Sequence, residues 1–384
     1  MIKEIRIENY KSIRKLKLEL GRVTVLIGEN GCGKSNILEA IALSAAAAGD
    51  KLDNEFLAPR GIRETEPELM RAAFDKDNVD KAIKISIGKK NKEIGVDYVL
   101  QNKNEIYSKW INTFKIKLNL IDEENRKNIF KQVKKGVSEE EFLKKLFEII
   151  VPTTTNYSVD NEGNYLEQFL IYSPEYQCLR NFREEGQIRP LGINGEGLFK
   201  LLTVLHSNKN KDKLNEIKEK LKLIGWFKDF QIPNNLVFGE RAIKIEDRYL
   251  DQELTFDQRS TNEGFLFLLF YFSLFISDDT PKFFAIDNID ASFNPRLCRR
   301  LLTELVSLAK KYDEQVIFTT HNPAILDGFN LNDDEQRLFV IYRNKFGYTK
   351  SKRILAPEPL EGIEPVRMSE AFLRGYIGGL PENF

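Results

Sequence analysis

Eight residues near the start of the chain have the types and the spacing of a phosphate-binding loop. Residues 28–35 read Gly-Glu-Asn-Gly-Cys-Gly-Lys-Ser, which matches the pattern G-x-x-x-x-G-K-S/T. Glycines let consecutive backbone amides turn toward an anion, and the helix that follows adds its positive N-terminal end. Lys34 is expected to contact the β- and γ-phosphates of a nucleoside triphosphate, and the Ser35 hydroxyl to bind Mg²⁺.

The flanking residues support this interpretation against a chance glycine turn. Residues 23–27 are apolar and β-branched like a strand buried on both faces, and residues 36–41 have helical spacing. Cys32 stands at a predicted helix N-terminus, where a lowered thiol pKa is possible, although that position tolerates many residues. The residues expected to contact the nucleotide here are Gly28, Asn30, Gly31, Cys32, Gly33, Lys34, Ser35 and Asn36.

Two apolar segments far downstream end in residues suited to the same chemistry. Residues 283–286 are apolar and lead into Asp287, a carboxylate placed to order a bound Mg²⁺. Residues 316–320 form a second predicted buried strand, which leads into His321, one of two histidines in the chain. A lone histidine is usually structural, but this position favours a γ-phosphate sensor. Parallel strands would bring both residues to the phosphate loop.

The order of these motifs resembles the ABC-type ATPase heads of SMC and RecF proteins, and among them the OLD-like ATPases. The resemblance rests on residues 5–12, on residues 28–41, and on residues 287–295, which are similar to the Walker B motif and D-loop of that family. The family usually has a glutamate after the Walker B aspartate, where this chain has Asn288. The resemblance implies ATP and Mg²⁺ as ligands and Lys34, Asp287, Asn288 and His321 as catalytic residues.

A signature segment precedes Walker B in such heads and contacts the nucleotide held by the opposite subunit. The candidate is residues 260–264, with Asn262 in place of the usual serine and with Gly264 retained. The alternative is a simple helix N-cap that binds no ligand. If the signature interpretation is right, the resemblance implies self-association of two copies around two ATP molecules.

The predicted fold is α/β, a P-loop NTPase with an ABC-ATPase-like split head and with an inserted β-hairpin and helical region. The expected segments are an N-terminal lobe at 1–60, an insertion at 61–255 and a C-terminal lobe at 256–384. Residues 83–87 and 94–100 alternate as in a hairpin, and residues 101–150 are charged and suggest helices, with one amphipathic helix over 139–150. Helices are also expected at 198–205 and at about 211–223.

Composition narrows the class of protein. Lys plus Arg equals Asp plus Glu at 58 each, so net charge gives no argument for nucleic-acid binding. The three cysteines are too few for a disulfide framework or a zinc site. The apolar run 265–276 is too short to span a membrane, which takes roughly 20 residues. With no secretory signal pattern at residues 1–4, we expect a cytoplasmic protein without membrane partners.

Several functions remain compatible with the sequence. OLD-family enzymes carry a TOPRIM nuclease with a D-x-D motif, and no such motif follows His321. A head of this size resembles ATPase subunits of two-gene anti-phage systems such as PARIS and Septu, which implies a sensor or scaffold that acts through a separate effector protein such as a nuclease. The alternative is a RecF- or SMC-like repair ATPase that clamps DNA. A third is a nucleotide-binding module with negligible turnover, suggested by Asn288.

Overall fold

The computed structural model describes residues 1–88, 94–105, 108–118, 165–183, 190–207, 211–233, 239–251, 254–356 and 366–379 of the 384-residue chain. The strands are β1 Glu4–Tyr10, β2 Ile13–Glu19, β3 Val23–Ile27, β4 Ile83–Gly88, β5 Ile94–Gln101, β6 Ile111–Leu118, β7 Ile171–Tyr172, β8 Phe227–Gln231, β9 Lys244–Asp247, β10 Phe283–Ile286, β11 Gln315–Thr320, β12 Gln336–Arg343 and β13 Thr349–Ile354. The α-helices are α1 Lys34–Ala48, α2 Asn54–Leu57, α3 Tyr176–Asn181, α4 Leu198–His206, α5 Lys211–Leu221, α6 Glu263–Ile276, α7 Pro295–Lys311 and α8 Met368–Leu373, and short 3-10 helices cover Ala58–Arg60, Lys76–Asn78 and Pro323–Gly328.

A six-stranded sheet carries the predicted chemistry, with the strand order β13-β12-β3-β11-β10-β7. Strand β3 lies at its centre and pairs in parallel with β11 on one side and β12 on the other. Strand β10 continues the parallel run beside β11, with Phe283 opposite Gln315. All five residues of β3 are buried, as its continuous apolar sequence predicts for a strand covered on both faces. The carboxyl ends of β3, β10 and β11 therefore meet at one edge.

A second, antiparallel sheet has the order β2-β1-β4-β5-β6. The predicted hairpin is confirmed as β4 and β5, which pair from Ile83 and Leu100 to Gly88 and Gly95. The helical prediction is wrong for residues 111–118, which form strand β6 beside β5. The predicted helix over 139–150 lies outside the described residues. This sheet joins strands from both sides of residue 60, and the division into three segments stays a prediction.

Two helices fill the spaces on either side of the central sheet. Helix α1 follows the phosphate loop, and most of its residues are buried between the two sheets. Helix α6 is buried over its whole length from Phe265 to Ile276, and it packs in the cluster that contains Phe284 and Phe318. It is the apolar run considered above, and it is a core helix. Among the described residues, no helix is long and apolar enough to cross a bilayer.

The two helices expected between the lobes are present. Helix α4 begins after a turn in which Gly195 and Gly197 have φ values of 104° and 79°, a conformation that glycine adopts readily. Helix α5 ends at Leu221, two residues before the predicted end. Both pack through buried leucines against the α6 side of the main sheet. Helices α4 and α5 therefore pack on one face of the main sheet, and the loops after the strands form its carboxyl edge.

Candidate nucleotide site

The phosphate loop, defined as residues 28–35, owes its shape to glycines that adopt a left-handed backbone or leave no room for a side chain. Gly31 and Gly33 have φ values of 75° and 104°. A Cβ at Gly33 would lie 2.1 Å from Thr349 Oγ1, and a Cβ at Gly28 would lie 2.1 Å from the carbonyl oxygen of Ile341. The loop therefore packs tightly against β12 and β13, and this contact fixes the direction of its backbone amides.

Lys34 lies inside the loop that it closes. Its side chain is 5% exposed, and Nζ donates to the carbonyl oxygens of Gly28 and Glu29, both at 2.9 Å. Burial lowers the pKa of Lys34, and the nearby Asp287 opposes that shift. The ammonium is thus held at the centre of the loop, close to where the phosphates of a bound nucleotide would be expected.

Ser35 and Asp287 meet as the sequence predicts. Ser35 Oγ donates to Asp287 Oδ2 at 2.8 Å, and Thr319 Oγ1 donates to the other carboxylate oxygen. A hydroxyl and a carboxylate side by side are oxygen donors of the kind that Mg²⁺ prefers, so these residues fit the implied ion. Thr319 is a site residue that sequence reasoning missed. A threonine at a strand end does not by itself indicate a site residue. The only sign in the sequence that Thr319 belongs to the site is its position directly before Thr320 and His321.

Asn288 adopts a left-handed backbone conformation with φ of 55°. The backbone amide of Asn288 donates to Thr319 Oγ1 at 2.9 Å, and the Asn288 side chain is exposed. Asparagine tolerates this conformation better than most residues. Asp290, the other carboxylate in this loop, accepts a hydrogen bond of 2.6 Å from Thr320 Oγ1. Asp290 is therefore held by β11 of its own chain.

His321 reaches back to the phosphate loop from the end of β11. Its Nδ1 lies 3.1 Å from the carbonyl oxygen of Gly28 and 3.2 Å from Lys34 Nζ. Burial lowers the pKa of His321, and the Lys34 ammonium lowers it further. A neutral imidazole either donates from Nδ1 to Gly28 or accepts at Nδ1 from the Lys34 ammonium, and the second tautomer carries its proton on Nε2, where it can donate. The structure thus brings His321 to Lys34, as predicted.

The prediction of a lowered Cys32 pKa is wrong. The Cys32 side chain is fully buried, and this burial raises the pKa of the thiol despite the proximity of Lys34. Its carbonyl oxygen accepts from Thr349 Oγ1 at 2.8 Å, so the residue has a structural role in docking the loop on β13. Any contact of Cys32 with phosphate would come from its backbone amide.

A cavity of about 490 Å³ adjoins the loop, and we call it the nucleotide-side cavity. Its walls are rich in cations, since Lys11, Arg63, Arg71 and Arg343 all line it. Arg343 Nε donates to the carbonyl oxygen of Gly31 at 2.8 Å, which joins this wall to the phosphate loop. Asn36 also lines the cavity and donates to Ser12 Oγ at 2.7 Å. Such a cavity is suited to a polyanionic ligand.

A buried carboxylate holds two of these cations in place. Glu39 on α1 is 1% exposed, and its side chain accepts from Lys11 Nζ, from Arg63 Nε at 2.5 Å and from the Tyr10 hydroxyl at 3.1 Å. Lys11 Nζ also donates to the carbonyl oxygen of Arg63 at 2.7 Å. Sequence reasoning missed this network. A glutamate within the apolar part of α1 is the only sign of this network in the sequence.

The signature candidate lies at the N-terminus of α6. Asn262 Oδ1 accepts from the amide of Phe265 at 2.9 Å, so the predicted N-cap is confirmed. Glu263 accepts a hydrogen bond from Ser292 Oγ in the D-loop, here residues 290–294. A Cβ at Gly264 would meet Asn262 and the D-loop only at ordinary distances of 3.5 to 3.6 Å. The signature role of Asn262 and Gly264 stays a prediction.

Comparison with known proteins shows a family match and two partial relatives. Residues 1–326 match the family described as AAA ATPase domain. The chain is 31% identical over 109 residues to the DNA replication and repair protein RecF of Bacillus cereus strain G9842, and 30% identical over 109 residues to RecF of Bacillus thuringiensis strain Al Hakam. Each alignment covers 28% of this chain and 28% of the relative, so the chain matches less than a third of the length of these relatives.

The fold of this chain is similar to that of a solved SMC head structure. An SMC head crystallised with the C-terminal winged-helix domain of ScpA aligns with a TM-score of 0.56 at 15% identity, over 93% of this chain and 98% of that one. This likeness shows the SMC head fold, which is an ABC-ATPase-like P-loop architecture. Because the family match spans most of the sequence, the chain belongs to the AAA ATPase domain family, and its fold is that of an SMC head.

Proposed function

We propose that two copies of this chain bind ATP and Mg²⁺ between them and that the resulting closed dimer acts on DNA, in the manner of a RecF- or SMC-like ATPase. The observation that carries this proposal is the convergence of Lys34, Ser35, Asp287 and His321 at one sheet edge, beside a cation-lined cavity. With the β- and γ-phosphates on the loop, the α-phosphate and the ribose would face the nucleotide-side cavity. The partial match to RecF, a DNA replication and repair protein, supports DNA as the molecule on which the dimer acts.

Each residue of the edge has a distinct task in this proposal. Lys34 would exchange its carbonyl contacts for the β- and γ-phosphates, and Ser35 and Asp287 would hold Mg²⁺, which neutralises phosphate charge when bound. His321, neutral because its pKa is lowered, would accept at Nδ1 from Lys34 and donate one hydrogen bond from Nε2 to the γ-phosphate. Lys11 and Arg63, fixed by Glu39, would meet the remaining charge of the nucleotide.

Hydrolysis is expected to be slow. An amide at position 288 can orient a water molecule but cannot take its proton, and a general base typically contributes about 10²- to 10⁴-fold. Asp290 is the nearest alternative carboxylate, and its bond to Thr320 directs one of its oxygens toward its own chain. A closed dimer that hydrolyses ATP slowly would remain assembled for long periods.

Sedimentation velocity provides the direct test. ATP with Mg²⁺ should shift the wild-type protein from monomer to dimer, and ADP should not. Addition of a duplex should then give a faster-sedimenting complex at low salt that is lost as salt is raised, because phosphate contacts release counterions. A protein that stays monomeric with ATP, or a dimer that ignores duplex DNA at low salt, would contradict the proposal.

A second candidate is a scaffold subunit of a bacterial anti-phage system that holds a separate effector such as a nuclease. Asn288 supports it, because a long-lived ATP-bound state suits a scaffold better than a rapid motor. Co-purification with the product of the neighbouring gene distinguishes the two candidates. A stable complex that depends on ATP favours the scaffold, whereas DNA binding by the dimer alone favours the repair-type function.

A further inference from the structure

An exposed aromatic ring forms part of the wall of the nucleotide-side cavity. Phe74 is 53% exposed, although phenylalanine is among the residues most often buried, and it lines the cavity together with Leu69 and Ala73. The cations of this wall and the phosphate loop have tasks in the proposed function, and the ring has none. The nucleotide-side cavity therefore has an apolar part whose ligand differs from phosphate.

The Phe74 ring is held in place by the turn between β12 and β13, residues 344–348. Its centre lies 5.5 Å from the centre of the Tyr348 ring, at an interplanar angle of 77°, and 5.6 Å from the guanidinium carbon of Arg343. A Cβ on Gly347 would lie 3.3 Å from the ring, so the ring packs closely on the backbone of this turn. A side chain fixed in this way loses little further freedom when a ligand stacks on it.

Arg343 connects this ring to the phosphate loop. Its Nε donates to the carbonyl oxygen of Gly31 at 2.8 Å, and its Nη1 donates to the carbonyl oxygen of Gly347 at 3.0 Å. A single guanidinium thus spans the space between the loop and the ring. In a nucleotide, one ribose separates the α-phosphate from the base. A nucleotide with its β- and γ-phosphates on the loop therefore has its base within reach of Phe74.

We propose that Phe74 is the surface on which the base of the bound nucleotide stacks, and that this surface selects purines over pyrimidines. The inference rests on the proposed nucleotide-binding function and names the residue that receives the base. Every base has a flat face that can stack on an aromatic ring. A purine has two fused rings and a pyrimidine has one, so a purine covers more of the phenyl face.

Hydrogen bonds within the protein already occupy many polar side chains of the cavity. Arg71 donates to Asn104 Oδ1 at 2.6 Å and to the carbonyl oxygen of Asn102 at 2.7 Å. Ser12 Oγ shares a hydrogen bond of 2.6 Å with Thr349 Oγ1. These groups have little capacity left for the edge of a base. Recognition by stacking then predicts similar affinity for ATP and GTP and weaker binding of CTP and UTP.

Inorganic tripolyphosphate separates the contribution of the base from that of the phosphates. Phe74→Ala should weaken the binding of ATP with Mg²⁺ by at least ~5-fold in isothermal titration, because a stacked base contributes substantially to affinity. The same variant should bind tripolyphosphate within ~2-fold of the wild type, since the phosphate loop is unchanged. Phe74→Tyr keeps the ring and should bind ATP within ~2-fold of the wild type. A melting curve for each variant serves as the folding control.

Phe346→Ala is the matched control. Phe346 lies in the same turn and is 65% exposed, but it is outside the lining of the nucleotide-side cavity. Its removal should leave ATP affinity within ~2-fold. Equal losses of ATP affinity in the two alanine variants would overturn the assignment of Phe74. Unchanged ATP affinity in Phe74→Ala, or equal losses of ATP and tripolyphosphate affinity in that variant, would overturn it as well.

A fluorescent side chain at position 74 reports contact with the base directly. Phe74→Trp should retain ATP binding, and ATP should quench its added fluorescence whereas tripolyphosphate should not, since only ATP brings a base to the ring. In the wild type, GTP should bind within ~3-fold of ATP, and CTP and UTP at least ~3-fold more weakly. Pyrimidine nucleotides that bind as tightly as ATP would contradict the purine selection.

The two ligands also distinguish failure of this inference from failure of the proposed function. A protein that binds neither ATP nor tripolyphosphate would contradict the nucleotide-binding function and, with it, the role of Phe74. A protein that binds both ligands, with ATP affinity that is lost in Lys34→Ala and unchanged in Phe74→Ala, would contradict only the role of Phe74.

Discussion

The N-termini of helices α1 and α6 begin in two different ways, one after a left-handed glycine and the other after an extended asparagine. Helix α1 begins after Gly33, whose φ is 104°, and no side chain caps its first amides. Helix α6 begins after Asn262, whose side chain accepts from the amide of Phe265. Both helices are buried over most of their length. The difference is therefore confined to the first turn of each.

This difference indicates where the chain leaves backbone donors for an anion. The first amides of a helix lack partners within the helix, and they need a cap or a ligand. The phosphate loop keeps its amides available and surrounds them with Lys34, Ser35 and His321 from the same chain. The α6 terminus is satisfied by its own side chain, and its polar groups would meet a nucleotide only from a second copy. In the proposed dimer, the first terminus would bind the nucleotide of its own subunit, and the second would contact the nucleotide of the partner subunit.

The largest effect is expected at the α1 terminus. Lys34→Ala removes the ammonium that closes the phosphate loop, and nucleotide affinity should fall by at least ~100-fold, since charged hydrogen bonds to phosphate contribute roughly 1.5 to 3 kcal/mol each. Isothermal titration with ATP and Mg²⁺ measures this directly. A circular dichroism spectrum and melting curve like those of the wild type serve as the folding control. Retained affinity would show that this terminus is not the nucleotide site.

The α6 terminus should respond only in assembly. Gly264→Asp places a carboxylate at the proposed phosphate contact, and the dimer fraction with ATP should fall by ~10-fold or more while monomer affinity for ATP stays within ~2-fold. Gly264→Ala is the steric control, because a Cβ there meets only ordinary contacts. If both variants assemble as the wild type does, the signature interpretation of Asn262 and Gly264 is wrong.

The third prediction concerns the general base for ATP hydrolysis, which neither helix N-terminus supplies. Asn288→Glu should raise single-turnover ATP hydrolysis by about 10-fold, because the carboxylate can accept a proton from water. The left-handed backbone at this position disfavours most residues by about 1 to 2 kcal/mol. Asn288→Gln carries the same strain without the base and is the matched control. A rate that rises equally in both, or that falls only with Asp290→Asn, would place the base elsewhere.

The smallest effect should come from the opposite edge of the sheet, where Glu314 precedes β11. Its side chain is fully buried and both carboxylate oxygens lack hydrogen bonds, so burial raises its pKa well above the ordinary value, against the pull of Lys282 at 3.8 Å. A carboxyl group whose pKa is higher in the folded state than in the unfolded state contributes most stability below the unfolded pKa. This contribution is lost as pH rises from the unfolded pKa toward the folded pKa. Stability should thus fall as pH rises above the unfolded pKa of about 4.3.

Glu314→Gln removes this titration. The variant should melt higher than the wild type at pH 8 by a few degrees, and the gap should shrink toward pH 4, because each unit of pKa shift corresponds to about 1.4 kcal/mol. Nucleotide affinity should be unchanged, because Glu314 lies at the edge of the sheet opposite to the phosphate loop. A gap that is constant with pH would indicate that Glu314 is not buried as a neutral acid.

The sequence predicted the parts of the molecule that follow from periodicity and turn chemistry. Apolar segments at 23–27, 283–286 and 316–320 could only be buried strands, and parallel pairing then brought Asp287 and His321 to the loop. The apolar run after Asn262 was correctly predicted as a core helix with an N-cap. These features depend on local patterns, which is why one sequence was enough.

The missed features depend on contacts between distant residues. Glu39 binds Arg63 across 24 positions, and no local pattern encodes that pairing. The charge of residues 101–150 predicts helices, whereas residues 111–118 form strand β6, in which Phe114, Ile116 and Leu118 alternate with polar residues. The buried state of Cys32 depends on β12 and β13, more than 300 residues later. The Glu39 pairing and the burial of Cys32 are out of reach of sequence periodicity, whereas the alternation in β6 is visible in the sequence.

The central place of β3 has a consequence for how the protein is made. During synthesis, Ile27 leaves the ribosome roughly 290 residues before Gln315, and both strands that flank β3 come from the later part. At about 5 to 20 residues per second, the most apolar strand of the nascent chain waits on the order of 15 to 60 s for its neighbours. ATP cannot assist folding during that interval, since Asp287 and His321 have yet to be translated. Production at lower temperature or with added chaperone capacity should accordingly raise the soluble yield.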